Sequence, residues 1–137
     1  TWCGPCRAAL PHHEQLAKTY KDQDVVVLAA CTNDAAEAFE TFMEEDAFKY
    51  PSLLFANDLA GRSEARVSRA LYGVSGIPHT FIIGKDGKVA AQVVGYATGE
   101  VLIEAALAKA GVKVSPETLT RAAEDQAKRD KRAQSAK

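Results

Sequence analysis

Trp2-Cys3-Gly4-Pro5-Cys6 opens the chain, followed by Arg7 and a run of helix-compatible residues up to Tyr20. Two thiols separated by Gly-Pro can close a small ring, and a proline in a first helical turn sets the backbone without removing a needed N–H. The spacing therefore predicts a helix opening at Pro5, with unpaired N–H groups set against the Cys3 sulfur, where they favour its thiolate. Thiols in such motifs have pKa values of roughly 3.5 to 7.5, against about 8.5 for free cysteine, so a reactive fraction exists near neutrality. Cys3 is the expected nucleophile. Cys6, one step further into the helix and expected to be the less exposed of the two, is the expected resolving thiol. Trp2, Gly4 and Pro5 are expected to shape the surface around the pair.

A zinc half-site or an inert pair is the competing reading of these two cysteines. Zinc usually takes four nitrogen or sulfur ligands with a second pair at similar spacing, which Cys31 alone does not supply, and haem attachment needs a histidine where Arg7 stands. A site built from His12 and His13 with Cys3 or Cys6 has no spacing argument behind it, and solvated helix histidines are expected. The sequence thus points to no metal and to no cofactor beyond a redox-active Cys3–Cys6 disulfide. Cys31, at the end of an apolar run, reads as a small buried hydrophobe.

The whole chain has 137 residues, 47% apolar and 26% charged, the composition of one globular domain. Lys and Arg (17) nearly balance Asp and Glu (18), which leaves no electrostatic case for nucleic acid or an anionic membrane as partner. No segment approaches the roughly 18 consecutive apolar residues of a membrane span. Three cysteines are too few for a disulfide scaffold.

Along the chain, one helix bent at Pro11 is expected to Tyr20, then a strand over Val25–Ala30 buried on both faces and paired in parallel. A second helix capped by Asn33 or Asp34 follows over about residues 35–46, with Ala38, Phe39, Phe42 and Met43 as its core stripe. Residues 47–62 read as irregular with a short strand at Leu53–Phe55, and a short helix covers about 64–72. Lys85-Asp86-Gly87-Lys88 turns a hairpin between Thr80–Ile83 and Val89–Val94. A helix from Glu100 to Ala110 should stop at Gly111. Ser115-Pro116 starts a last, charged helix with Glu117/Arg121, Glu124/Lys128 and Asp125/Arg129 at four-residue spacing, expected to fray because Leu119 is its only large aliphatic residue. The expected division is a domain over 1–111 and a helical tail over 112–137.

Two separated segments carry a family resemblance. TWCGPCRAALP at residues 1–11 and YGVSGIPHTFII at residues 72–83 together resemble the TlpA/ResA-like thiol–disulfide oxidoreductases of the thioredoxin-fold superfamily. The resemblance implies a thioredoxin-like three-layer α/β/α sandwich with a mixed sheet. It implies that Ile77-Pro78 is cis, lies beside the dithiol and offers the client's cysteine segment a strand-like edge. It implies client proteins carrying a cysteine pair or disulfide, an upstream electron donor, work as a reductant, and a location outside the cytoplasm. His79 follows that proline and is not assigned a catalytic role.

That family places a buried strand ahead of the dithiol, whereas this chain begins at Thr1 without initiator Met, signal peptide or lipid anchor. The expectation is an N-terminally truncated product whose sheet lacks the strand or strands preceding the CxxC helix. Two other functions compete: a non-catalytic thioredoxin-fold module binding a metal or a partner, and a peroxiredoxin-like antioxidant protein. The latter needs a Pro-x-x-x-Thr-x-x-Cys setting, and none is present.

Overall fold

Cys3 has extended backbone (φ −76°, ψ 106°) and caps α1, Gly4–Tyr20, with Pro5 in its first turn. The computed structural model describes all 137 residues, which fall into two units, Thr1–Pro78 and His79–Lys137.

In the first unit α1 runs unbroken through Pro11, although the missing N–H leaves the Arg7 carbonyl without its helical donor. Its buried positions Ala9, Leu16, Ala17 and Tyr20 form the apolar stripe, and Glu14 is buried with them. A 3₁₀ turn over Lys21–Gln23 ends at Asp24 in the left-handed region (φ 60°). The strand that follows, β1, spans Leu28–Cys31 and pairs in parallel with β2, Leu54–Asn57, placing Leu28 opposite Leu54. The parallel pairing is as expected, but burial on both faces is not: Val26 is 72% and Leu28 61% exposed. β1 has β2 as its one strand partner, so a run that composition marks as central has an open edge and face.

Between these strands lie α2, Ala36–Glu45, and a 3₁₀ turn over Ala47–Lys49. Ala35 occupies the cap position of α2 with no side-chain cap; Asp34, one residue earlier, accepts from the Ala35 N–H at 2.9 Å. Of the expected core stripe only Phe42 is buried, edge-on to Phe55 of β2 at 5.3 Å, while Met43 is 41% exposed. The single helix expected near 64–72 is instead a 3₁₀ turn over Ser63–Ala65 followed by one helical turn, α3, Val67–Ala70.

In the second unit β3, His79–Ile83, and β4, Val89–Val94, form the expected antiparallel hairpin. Gly87 supplies the positive φ (76°) of its turn, and Asp86 Oδ1 accepts from the Lys88 N–H. α4, Leu102–Lys109, buries Leu102, Ile103, Ala106 and Leu107, and Gly111 (φ 91°) ends it. α5, Pro116–Ser135, is capped by Ser115 Oγ, which accepts from the Thr118 N–H.

α5 is a packed element rather than a frayed one, with Ala122 and Asp125 buried. Its arginines reach outward, whereas Lys128 pairs along the helix with Asp125 at 3.1 Å rather than with the expected Glu124. Arg129 forks onto Glu100 and donates to the Val94 carbonyl, Arg121 donates to the Gly99 carbonyl, and Asp125 accepts from the Val101 N–H at 3.3 Å. The expected Glu117/Arg121 and Asp125/Arg129 pairs give way because loop carbonyls and Glu100 offer acceptors with better-fixed geometry. The architecture is mixed α/β, with one parallel and one antiparallel strand pair, in keeping with a thioredoxin-like fold. No helix is long and apolar enough to cross a membrane.

Candidate functional site

Cys3 and Cys6 are joined in a disulfide, their Cα atoms 5.2 Å apart. The helical rise from cap to third position brings the two sulfurs together, and the first backbone bond of the helix, Arg7 N–H to the Cys3 carbonyl at 3.0 Å, fixes that spacing. The Cys6 N–H donates to Cys3 Sγ at 3.2 Å, so one of the orphan amides of α1 is aimed at the sulfur. This contact favours negative charge on Cys3 once the disulfide is opened.

The expected order of exposure is reversed. Cys3 is 5% exposed, whereas Cys6 is half-buried. The cap position explains this: Cys3 Sγ sits over the first turn, held between its bond to Cys6 and the Cys6 N–H. Gly4 and Pro5 lie exposed in that turn, and Trp2 is 63% exposed with its indole N–H donating to the Asn33 carbonyl. Arg7 donates to the Thr1 carbonyl at 3.3 Å and to Asp46 at 3.5 Å. Asp46 also takes a bond from Lys49, and these cations hold its carboxyl below the ordinary range, Lys49 foremost.

The Ile77–Pro78 peptide is cis. Ile77 and Gly76 line a recess of about 140 Å³ together with Thr32, Asn33, Arg66 and Arg69. Since Trp2 leans on Asn33, this recess adjoins the residue next to Cys3. Its wall is built on Asp58, whose carboxylate accepts from the Val67 and Ser68 N–H groups, both at 2.9 Å, and from the Thr32 hydroxyl at 3.2 Å. Burial alone would raise the Asp58 carboxyl; the Ser68, Val67 and Thr32 donors outweigh it and bring the group below its usual value. Thr32 and Ser68 share a hydroxyl–hydroxyl bond, and Arg66 ties the Thr32 carbonyl to that of Leu59.

Cys31 carries a free thiol and is half-buried rather than buried. Burial pushes its thiol up, which the Thr1 amine and Arg66 only partly offset. His79 sits on β3, bonded to Gln92 at 3.0 Å and stacked on Phe81 at 4.2 Å. The rings of His12 and His13 lie 6.4 Å apart on α1, and no three His, Cys, Asp or Glu side chains gather as metal ligands.

Sequence reasoning missed Asp58, Arg66 and Glu14. Glu14 Oε2 accepts from the Ser52 N–H at 2.9 Å and pairs with Lys18 at 3.0 Å, tying α1 to the segment before β2. The Glu14–Lys18 spacing was a readable signal; Asp58, nine residues before the turn it caps, offered none.

Comparison with known proteins adds to this geometry. A family model described as Redoxin matches residues 1–110. The chain is similar to proteins named thiol–disulfide oxidoreductase ResA: 33% identical over 104 residues to that of Bacillus cereus (strain ATCC 10987 / NRS 248), covering 76% of this chain and 56% of the relative. Against that of Bacillus anthracis it is 30% identical over 102 residues, covering 74% and 54%. Against that of Bacillus subtilis (strain 168) it is again 30% identical over 102 residues, covering 74% and 52%. The chain spans about half the length of these curated relatives.

Proposed function

The chain belongs to the redoxin family, and from that premise we propose that it is a thiol–disulfide oxidoreductase exchanging its Cys3/Cys6 couple with cysteines of client proteins. The observation that carries the reading is the bonded cysteine pair at the tip of α1, with the Cys6 N–H on Cys3 Sγ. In the reducing direction, the Cys3 thiolate attacks one sulfur of a client disulfide. A Cys3–client bond forms, and the client's other sulfur leaves as a thiolate that takes a proton from water. Cys6 then gives its proton to solvent and attacks Cys3 Sγ, which expels the second client thiolate. Two electrons have passed to the client, and the protein is left with the disulfide described above.

The Cys6 N–H acts twice in this scheme, stabilising Cys3 as attacking thiolate and as leaving group when a donor dithiol resets the couple. Trp2, Gly4 and Pro5 shape the surface, while Ile77 and Pro78 present a backbone edge to the client segment. The resemblance to TlpA/ResA-like proteins supports work as a reductant, an upstream donor protein and a location outside the cytoplasm.

The test is to incubate the reduced protein with a disulfide-bonded protein substrate and follow loss of its disulfides, then repeat with Cys6→Ser. The expected result is turnover by the native chain and an accumulating mixed disulfide through Cys3 in the variant, absent from Cys3→Ser. No turnover and no adduct, with a stoichiometric metal copurifying, would instead establish a binding module.

A further inference from the structure

The recess beside Ile77 has a chemistry that exchange of sulfur alone does not require. It is lined by hydroxyls and amides (Thr32, Asn33, Ser68) and by two guanidinium groups, Arg66 and Arg69. Arg66 spends its two terminal nitrogens on backbone carbonyls, and its Nε is buried without an acceptor. Arg69 lies exposed on α3. Two carboxylates are close: Asp58 is taken up by Val67, Ser68 and Thr32, and Glu64, exposed on the surface, accepts from the Ser63 hydroxyl and its own backbone. Neither forms an ion pair with Arg66 or Arg69; the exposed Glu64 attracts both guanidinium groups only from a distance, so each still has room for a direct counter-ion.

We infer that this recess is a specificity pocket for an acidic side chain of the client, carried within a residue or two of its reactive cysteine. The inference rests on the redox reading above for the identity of the client, though not for the binding itself. Size selects the class of occupant: about 140 Å³ is well below the several hundred Å³ of pockets that enclose whole small molecules, and it suits one side chain. Position selects the source, because Ile77 lines the recess and, on the reading above, also belongs to the edge offered to the client segment. Charge selects the chemistry, since a carboxylate supplies the acceptors that a guanidinium fork matches.

The experiment uses short peptides blocked at both ends, with Ser replacing the reactive Cys and either Glu or Gln two positions away. Binding is followed by NMR on the arginine Nε–H signals and on Trp2. The Glu peptide should bind roughly five- to ten-fold more tightly at low salt, with the gap narrowing as salt rises. Arg69→Gln should remove the gap, and Arg69→Glu should shift preference to a Lys peptide. Arg69 is the residue to change because its side chain holds no other part of the fold, so these variants fold as the native chain does. Equal binding of Glu and Gln peptides, or a gap that survives both variants, overturns the pocket. A separate arm asks whether the native reduced protein reacts with a small neutral disulfide; failure there, with the Glu preference intact, removes the redox reading and leaves the acidic-peptide pocket standing.

Discussion

Replacing Asp58 by Ala takes away the acceptor for two backbone N–H groups and one hydroxyl, at 2.9, 2.9 and 3.2 Å. Hydrogen bonds to a charged group contribute about 1.5–3 kcal/mol each, and loss of a helix cap about 1 kcal/mol. The three do not add in full, because Asp58 is only half-buried and water re-enters once the carboxylate is gone. About 2 kcal/mol is therefore expected for local opening of α3, equivalent to amide exchange at Val67 and Ser68 roughly 30-fold faster. Asp58→Asn keeps one acceptor and should fall about midway. The pH dependence follows from the lowered carboxyl: its stabilisation is present above the unfolded aspartate value of about 3.9 and is lost as pH falls through the lower folded value. Native protein should thus gain exchange at these amides below about pH 4 beyond that of Asp58→Asn. Unchanged exchange at Val67 and Ser68 in Asp58→Ala, or an acid response identical in Asp58→Asn, refutes the assignment of Asp58 as the anchor of this wall.

Glu14→Gln should destabilise the first unit by about 1–2 kcal/mol in urea unfolding, since burial, which raises its carboxyl, is outweighed by Ser52 and Lys18; its contribution too should vanish in acid, and a variant as stable as native protein at pH 7 would remove Glu14 from the account. Arg129→Met should loosen α5 by about 1–2 kcal/mol, read as faster cleavage in limited proteolysis between Lys113 and Ser115, whereas Glu124→Gln should leave cleavage unchanged. In the oxidised protein Cys31 is the one free thiol, and its raised pKa predicts alkylation slower than that of an unstructured cysteine peptide at pH 7.5; an equal or faster rate by mass spectrometry contradicts that environment.

What sequence made legible was set by local rules. The CxxC spacing, Pro5 in a first turn, the Asp86-Gly87 hairpin, the Gly111 stop and the Ser115 cap each rest on residues a few positions apart, and each is found in the structure. What was missed depends on partners distant in sequence. An apolar run such as Val25–Ala30 cannot reveal how many strands flank it, so its exposed face at Val26 and Leu28 was not readable. The same holds for α5: four-residue charge spacing describes an isolated helix, whereas Arg121 and Arg129 found acceptors 22 and 35 residues away. At the site, the cysteines were readable from their motif, but the burial of Cys3 and the arginine-lined recess required the placement of Asn33, Asp58 and α3 around them.

The bond from the Val101 N–H to Asp125 has a consequence for synthesis. A nascent chain that has reached Gly111 holds every residue of α4 yet lacks the acceptor that serves the start of that helix, and it lacks Arg129, the clasp on Glu100 and Val94. The second unit therefore cannot reach its final order until Asp125 and Arg129 have been made, well after its hairpin and α4. Truncations before Asp125 should leave a hairpin and a helix that associate loosely, vulnerable to the quality-control proteases that survey incomplete chains.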